Sequence, residues 1–146
     1  MISVILTDDH HIFREAVASL LQDEKDIAVV AQAGSAPELL ARLAATECDV
    51  LVLDIMLPGR SGLEVLEQIR AERPKLPVLI LSLHPEGHYA VGAIRAGADG
   101  YLTKEATGRD LVQAIRTVHS GKKFISSFLA ERLGSEPSDP VLAPLS

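Results

Sequence analysis

Four short apolar runs of the sequence each lead to a residue that can take part in chemistry. Asp8 and Asp9 follow the first run, Asp54 follows a later one, Ser82 ends another, and Lys104 stands just after the last. Three carboxylates that come together repel one another unless a cation lies between them. Oxygen ligands of this kind suit Mg²⁺, for which Mn²⁺ can substitute. A lysine and a hydroxyl beside them complete the equipment of a phosphoryl-transfer site with a carboxylate nucleophile.

Two histidines follow the aspartate pair directly, in the stretch ILTDDHHIFREAV. Neighbouring residues of a helix point about 100° apart, so His10 and His11 cannot converge on one ion. Imidazole also favours zinc or copper, whereas the rest of the cluster offers oxygen ligands. We therefore expect both histidines at a helix start or on the surface, and not among the metal ligands.

The apolar runs predict five strands. The first, third and fourth are apolar throughout or nearly so, which is typical of strands covered on both faces of a parallel sheet. Amphipathic stretches between them predict helices, and the capping boxes SAPE and SGLE open two of these. Alternating strands and helices indicate a doubly wound α/β domain, in which the carboxyl ends of the strands meet at one crevice. The predicted strands are Ile2–Leu6, Ile27–Ala31, Val50–Leu53, Val78–Leu81 and Gly100–Thr103.

The composition excludes several classes of protein. The formal net charge is -6, which does not favour binding to a phosphate backbone. No apolar run reaches the roughly 18 residues of a membrane helix, and residues 1–7 are too short for a signal peptide. A single cysteine, Cys48, cannot form an internal disulfide and is expected to be a small buried residue. We expect a cytoplasmic protein without membrane contact.

The order of these residues resembles the receiver domain of bacterial two-component response regulators. The resemblance covers residues 1 to about 120 and implies a flavodoxin-like (βα)5 fold with a five-stranded sheet in the order 2-1-3-4-5. Each motif alone is weak, but all of them in this order are specific. The matching residues are Asp8 and Asp9 after the first strand, Asp54 after the third, Ser82 after the fourth, and Tyr101 three residues before Lys104.

The resemblance implies that Asp54 accepts a phosphoryl group from a histidine kinase or a phosphotransfer protein. The chain would then be a phosphoacceptor that assists its own phosphorylation and dephosphorylation, and not a turnover enzyme. Asp9 and Asp54 would coordinate Mg²⁺ directly, together with the backbone carbonyl of Met56. Asp8 would contribute to the metal site, often through water.

The remaining matches imply a switch. Lys104 and Ser82 would contact oxygens of the phosphoryl group. Tyr101 would then rotate inward and change the face made by the fourth helix, the fifth strand and the fifth helix. This face, or another that contains the first helix, would form a phosphorylation-dependent homodimer.

Glu105 and the tail point to one branch of the family, whereas Leu83 bears on the entrance to the site. Leu83 stands where many receivers have a small residue and is expected to narrow access for small phosphodonors. Glu105 stands where many have a proline, as occurs in the NarL/FixJ branch. The tail resembles the linker before a LuxR-type helix-turn-helix. We therefore predict a receiver domain at 1–121, a short helix and linker at 122–146, and DNA binding only through a missing C-terminal domain.

Three other functions are possible for such an α/β fold. A haloacid-dehalogenase-type phosphatase would need a second acid two residues after Asp54, where this chain has Met56. A flavin or nucleotide binder would need a glycine-rich phosphate loop after the first strand, which is lacking. A protein-interaction module with an acidic site that is no longer phosphorylated is not excluded by the sequence.

Overall fold

The computed structural model of the chain describes residues 1–82, 88–104 and 108–126, apart from the side chains of residues 88 and 89. Within these residues, strands and helices alternate as the apolar and amphipathic stretches predict. The elements are β1 Ile2–Thr7, α1 His11–Gln22, β2 Ile27–Ala33, α2 Ala36–Ala45, β3 Val50–Asp54, β4 Met56–Leu57, β5 Arg60–Ser61, α3 Gly62–Glu72, β6 Val78–Ser82, α4 His88–Arg95, β7 Gly100–Thr103 and α5 Gly108–His119.

Five strands form one parallel sheet in the order β2-β1-β3-β6-β7. The two-residue strands β4 and β5 form a separate antiparallel hairpin. Counted without the hairpin, the sheet has the order 2-1-3-4-5, so the predicted doubly wound, flavodoxin-like fold is confirmed. The order reverses between β1 and β3, which creates the crevice in which such sheets bind their ligands.

Alternating side chains of the central strands enter two hydrophobic layers, one on each face of the sheet. Leu51 and Leu53 of β3 pack in the layer under α2, α3 and α4. Val50 and Val52 pack in the layer under α1 and α5. All residues of β3 and β6 are buried, which explains why these two strands read as unbroken apolar runs. Each fully buried aliphatic side chain contributes about 1.5–3 kcal/mol to folding.

The helix starts near the crevice follow local signals in the sequence. Ser35 accepts a hydrogen bond from the Glu38 amide at 3.3 Å, and Ser61 accepts one from the Leu63 amide at 3.2 Å. Both capping serines were predicted, and each satisfies an amide that the first helical turn leaves unpaired. A Cβ atom at Gly62 would collide with the backbone of Ile55, so only glycine lets α3 begin this close to the end of β3.

The chain after α5 returns to the edge of the sheet. Phe124 forms a parallel bridge with Gly100, accepts a hydrogen bond from the Tyr101 amide at 3.1 Å and donates one to Asp99 at 2.9 Å. The side chain of Ile125 is buried in the same layer as Tyr101. The described contacts of the domain therefore continue past residue 121.

Some predictions fall on parts of the chain that lie outside the described residues. These are Leu83, Glu105 and the helix and linker beyond Ser126. Among the helices that the structure does describe, none combines the length and apolar character needed to cross a membrane.

Candidate functional site

The parallel sheet brings four of the predicted residues to one crevice. Asp54 and Ser82 end the neighbouring strands β3 and β6, and Asp8 directly follows β1. The Lys104 amide donates to the Ser82 carbonyl at 2.7 Å, which holds the residue after β7 beside β6. Asp8, Asp54 and Ser82 are all buried. Because buried carboxylates need compensating partners, the next question is which group lies between Asp8 and Asp54.

The ammonium group of Lys104 lies between the two buried carboxylates. Its Nζ atom is 2.7 Å from Oδ2 of Asp8 and 3.1 Å from Oδ2 of Asp54, and the lysine side chain is only 4% exposed. The same Nζ lies 4.8 Å from the centre of the Phe13 ring, a cation–π contact. The short approach to Asp8 lacks the alignment of a hydrogen bond. Oδ2 of Asp8 therefore has no hydrogen-bond partner within the described part of the chain.

Asp54 carries more negative charge than its surroundings neutralise. Burial raises the pKa of its carboxyl group, and the charge of Asp8 raises it further. The Met56 amide, which donates to Oδ1 at 3.0 Å, and the ammonium of Lys104 act in the opposite direction but do not cancel the rise. A raised pKa, together with two buried carboxylates that face a single ammonium, indicates that the cluster is short of positive charge.

The donor set fits Mg²⁺. Ligand atoms of Asp8, Asp9, His10 and Asp54 all lie within 4.8 Å of one another. Carboxylate oxygens are the protein ligands that Mg²⁺ prefers, and it keeps several waters besides. Asp9 is partly exposed, so it lies at the open side of the cluster. The Asp54 contact also keeps the backbone of Met56 beside the carboxylate, while the thioether of Met56 is half exposed.

His10 lies in the cluster, which the sequence reasoning did not foresee. Its Nδ1 atom is 3.1 Å from Oδ1 of Asp8, 3.4 Å from Oδ1 of Asp9 and 3.1 Å from Nζ of Lys104. The two histidines do diverge as predicted, since His11 pairs with Glu15 at 3.0 Å.

The angle between helical neighbours does not apply to His10, because it is the N-cap of α1 with extended backbone angles. Its amide donates to Oδ1 of Asp8 at 2.8 Å, which turns the chain so that the ring faces the cluster. The sequence carried a usable signal: an aspartate two residues before a helix start is typical of such a turn.

The predicted switch residue Tyr101 has its side chain inside the protein, where it is 3% exposed. It packs in the layer that α4 covers, with Ala90, Ala93 and Ile94. Its strand pairs with β6, in register with Ile80, two residues before Ser82. The residues that carry the aromatic ring and the hydroxyl at the crevice thus belong to one pair of hydrogen-bonded strands.

The chain matches the response regulator receiver domain family over residues 4–116. Response regulator UvrY of Escherichia coli O6:H1 is 34% identical over 140 residues, which is 96% of this chain and 64% of UvrY. The DNA-binding transcriptional activator DevR/DosR of Mycobacterium tuberculosis is 34% identical over 97% of this chain and 68% of that protein. The chain thus spans somewhat less than two thirds of the UvrY relatives it matches.

A solved structure gives the same result. A two-component response regulator of the LuxR family from Aurantimonas sp. SI85-9A1 superposes with a TM-score of 0.85 and 34% identity, covering 95% of this chain and 99% of that one. The receiver domain of NarL from Mycobacterium tuberculosis has a TM-score of 0.77 at 32% identity, covering 83% of this chain and 98% of that one. With the sheet order and the acidic crevice, these matches show that the chain belongs to the response regulator receiver family. Its relatives are of the predicted NarL/FixJ branch.

Proposed function

We propose that the chain is a phosphorylation-activated receiver whose phosphoacceptor is Asp54. A histidine kinase or a phosphotransfer protein would supply the phosphoryl group. The observation that carries this proposal is the buried Asp54 carboxylate, held by the Met56 amide at 3.0 Å and facing the Lys104 ammonium at 3.1 Å. These two contacts hold the carboxylate of Asp54 in a fixed position in the crevice. A purely structural role for Asp54 would not explain why a buried carboxylate shares one ammonium with a second carboxylate.

The reaction is a transfer between two nucleophiles. An oxygen of Asp54 attacks the phosphorus atom of a phosphohistidine, and the nitrogen–phosphorus bond breaks. The donor imidazole takes up a proton as it leaves, and Asp54 becomes an acyl phosphate. Lys104 then pairs with one phosphoryl oxygen, and the Ser82 hydroxyl donates to another. These two contacts stabilise charge that the free carboxylate does not carry.

The acidic residues around Asp54 are proposed to hold Mg²⁺, with Mn²⁺ as a substitute. Asp8, Asp9, Asp54 and the backbone carbonyl of Met56 would be its protein ligands. The ion would supply positive charge, which lets a carboxylate approach an anionic phosphoryl group. Lys104 alone cannot do this, since one ammonium already faces two carboxylates.

Transmission to a partner is proposed to pass through Tyr101. A phosphoryl group pulls the Ser82 hydroxyl and Lys104 towards itself. Tyr101 lies on β7, which pairs with the strand of Ser82 and ends just before Lys104. A local charge change then biases the face made by α4, β7 and α5 between two arrangements. This face would form a homodimer, and the intact protein would bind DNA through a C-terminal domain.

The rival phosphatase reaction has less support. It needs an acid two residues after the nucleophile to activate water, and Met56 has no proton to exchange. An acyl phosphate on Asp54 should therefore be lost slowly, as a signal requires. The two experiments below distinguish a phosphorylated receiver from a non-phosphorylated interaction module.

Intact-protein mass spectrometry after incubation with a small phosphodonor, with and without Mg²⁺, tests the proposal. We expect one phosphoryl adduct that requires Mg²⁺, is absent from Asp54→Asn and persists in Asp49→Asn. Asp49 is a suitable control because it accepts the Ser3 amide at the opposite end of the sheet. A full adduct on Asp54→Asn would refute the assignment.

A missing adduct in the wild type calls for a second measurement, because Leu83 is predicted to narrow the entrance for small donors. Beryllofluoride, a phosphoryl analogue, would then be titrated with Mg²⁺ and followed by thermal shift. Stabilisation of the wild type but not of Asp54→Asn supports a working pocket with a selective entrance. No stabilisation of either protein would leave the interaction module as the better description.

A further inference from the structure

His10 is the member of the cluster to which the proposed function gives no task. Its ring is half exposed, with one edge in the cluster and the other at the surface. It makes no capping hydrogen bond to α1 through its side chain, so the helix does not explain its position. The ring instead approaches both acidic side chains that precede it and the ammonium of Lys104.

The contacts of Nδ1 conflict with one another. Lys104 can only donate and lies at 3.1 Å, while Oδ1 of Asp8 can only accept and lies at 3.1 Å as well. A single ring nitrogen satisfies one of these contacts at a time, because it carries either a lone pair or a proton. When Nδ1 accepts from Lys104, its lone pair points at a cation that the carboxylates also surround.

The atoms around this ammonium have the span of a metal coordination shell. The ligand atoms of Asp8, Asp9, His10 and Asp54 lie within 4.8 Å of one another. Opposite ligands of a cation with bonds of roughly 2.1 Å are about 4.2 Å apart, so the separations in the cluster are close to those of a coordination shell. Oδ2 of Asp8, fully buried and without a hydrogen-bond partner among the described residues, faces the same point.

We propose that Nδ1 of His10 is a ligand for divalent transition-metal ions of intermediate softness, such as Co²⁺ and Ni²⁺, in the site where the carboxylates hold Mg²⁺. Imidazole binds such ions well and contributes little to Mg²⁺, which prefers oxygen. His10 thereby sets which divalent cation the site prefers. This inference rests on the proposed function, because both cations share the same carboxylates.

The matched control is His11, the adjacent residue of the same type. Its Nε2 atom lies 3.0 Å from Glu15 and its Nδ1 atom 3.2 Å from Arg14, so both nitrogens face away from the cluster. Replacing either histidine by alanine removes the same side chain. Any difference between the two variants in metal binding therefore reports the position of the ring.

Isothermal titration calorimetry of the metal-free wild type, His10→Ala and His11→Ala with Mg²⁺ and with Co²⁺ tests the inference. We expect Mg²⁺ affinities that agree within about twofold for all three proteins. Co²⁺ affinity should fall at least about tenfold in His10→Ala alone, since the loss of even an outer partner of a metal ligand costs roughly 10–100-fold. The visible absorption of bound Co²⁺ should also change in that variant, because a nitrogen ligand is lost.

Two outcomes overturn the inference. Equal Co²⁺ affinity and an unchanged spectrum in the wild type and His10→Ala would show that the ring is not a ligand. A parallel loss of Mg²⁺ and Co²⁺ in His10→Ala would show that the ring supports the whole cluster instead of selecting an ion. Proton NMR of the Co²⁺-loaded wild type gives a check without any variant, since a coordinated imidazole has strongly shifted signals.

These results stand apart from a failure of the proposed function. If Asp54 were not a phosphoacceptor, the mass-spectrometry experiment would fail while the cation titrations remained readable. If His10 were not a ligand, the adduct on Asp54 would still form with Mg²⁺.

Discussion

At the amino end of the sheet, aspartates tie strands together. Asp49 precedes β3 and accepts the Ser3 amide at 2.9 Å. Asp99 precedes β7 and accepts the Val78 amide at 2.9 Å, while Arg70 donates to the same oxygen at 3.1 Å. Each of these carboxylates accepts a hydrogen bond from the backbone amide of a neighbouring strand, and the charge of Asp99 is also paired with that of Arg70.

At the carboxyl end, the same residue type is left short of positive charge. Asp8 and Asp54 share a single ammonium, that of Lys104, and one oxygen of Asp8 has no hydrogen-bond partner within the described residues. Burial raises the pKa of Asp54. The comparison of the two ends shows two uses of aspartate. At the amino end its hydrogen bonds join neighbouring strands, whereas at the carboxyl end its uncompensated charge is available to a cation. Sites of the second kind are held at some cost in stability.

The replacement of Lys104 by alanine should give the largest effect on stability. Two buried carboxylates then lose their cation, and the metal-free protein should lose about 3 kcal/mol of unfolding free energy while remaining folded. Mg²⁺ should restore more stability to this variant than to the wild type, because it replaces the missing charge. Urea denaturation with and without Mg²⁺ measures both effects.

Lys123→Ala is the matched control from the amino end, where Nζ lies 3.5 Å from Asp99 and the side chain is partly exposed. It should cost less than about 1 kcal/mol, whatever the Mg²⁺ concentration. Equal losses in the two variants would break the comparison between the two ends.

We also expect Lys104→Ala to uncouple phosphorylation from any change in dimerisation. Unaltered coupling in a sizing experiment would argue against that role of Lys104.

Asp99→Ala should come next, with a loss of about 2 kcal/mol. The substitution leaves the Val78 amide without its acceptor and removes the carboxylate that faces the Arg70 guanidinium, and an unpaired buried donor carries a cost of this size. Asp99→Asn keeps an acceptor oxygen and should recover much of the loss. Chemical denaturation of both variants is the measurement, and an unaffected Asp99→Ala would mean that the amino end is not fastened in this way.

Asp54→Asn should stabilise the protein at neutral pH by about 1 kcal/mol, in the range typical of neutral substitutions at functional sites. The pKa of Asp54 is raised in the fold, so its ionisation costs more in the native state than in the unfolded chain. This cost is absent below the unfolded pKa and complete above the folded pKa. As the pH rises through that window, the wild type should lose stability relative to Asp54→Asn. Denaturation midpoints from acidic to neutral pH would expose a wrong sign.

The smallest effect concerns Cys48, at the amino end next to Asp49. Burial raises the pKa of its thiol to about 11, and Asp49 adds to the rise against the influence of Arg73. The thiolate that reacts with disulfide reagents is therefore scarce at pH 8, and labelling should be about a hundredfold slower than for a free cysteine. The rate should grow with pH beyond the range in which free thiols level off. Labelling as fast as that of glutathione would contradict the assignment.

The sequence was most informative where one physical cause acts alone. The unbroken apolar runs of β3 and β6 arise because both faces of the sheet are covered, and the capping serines at 35 and 61 act within one helical turn. The meeting of Asp8, Asp54 and Ser82 follows from the sheet topology, since parallel strands end at a common edge.

Features that depend on distant contacts were beyond reach of the pattern. The position of the His10 ring depends on a turn at Asp8 and on Lys104, which is far away in the sequence. The burial of Ile125 depends on Tyr101 and α4 in the folded state. Neither contact leaves a periodic signal, and polar residues next to a strong motif are easily assigned to the surface.

The bridge between Phe124 and Gly100 bears on how this protein behaves among copies of itself. An open sheet edge presents backbone groups to which another chain can add a strand. At β7 that place is taken by the chain's own backbone, through the amides of Tyr101 and Phe124. A Cβ atom at position 100 would lie 3.0 Å from the Phe124 carbonyl, so glycine lets the two segments lie side by side. The backbone of Phe124 thus blocks strand addition by another chain at the start of β7.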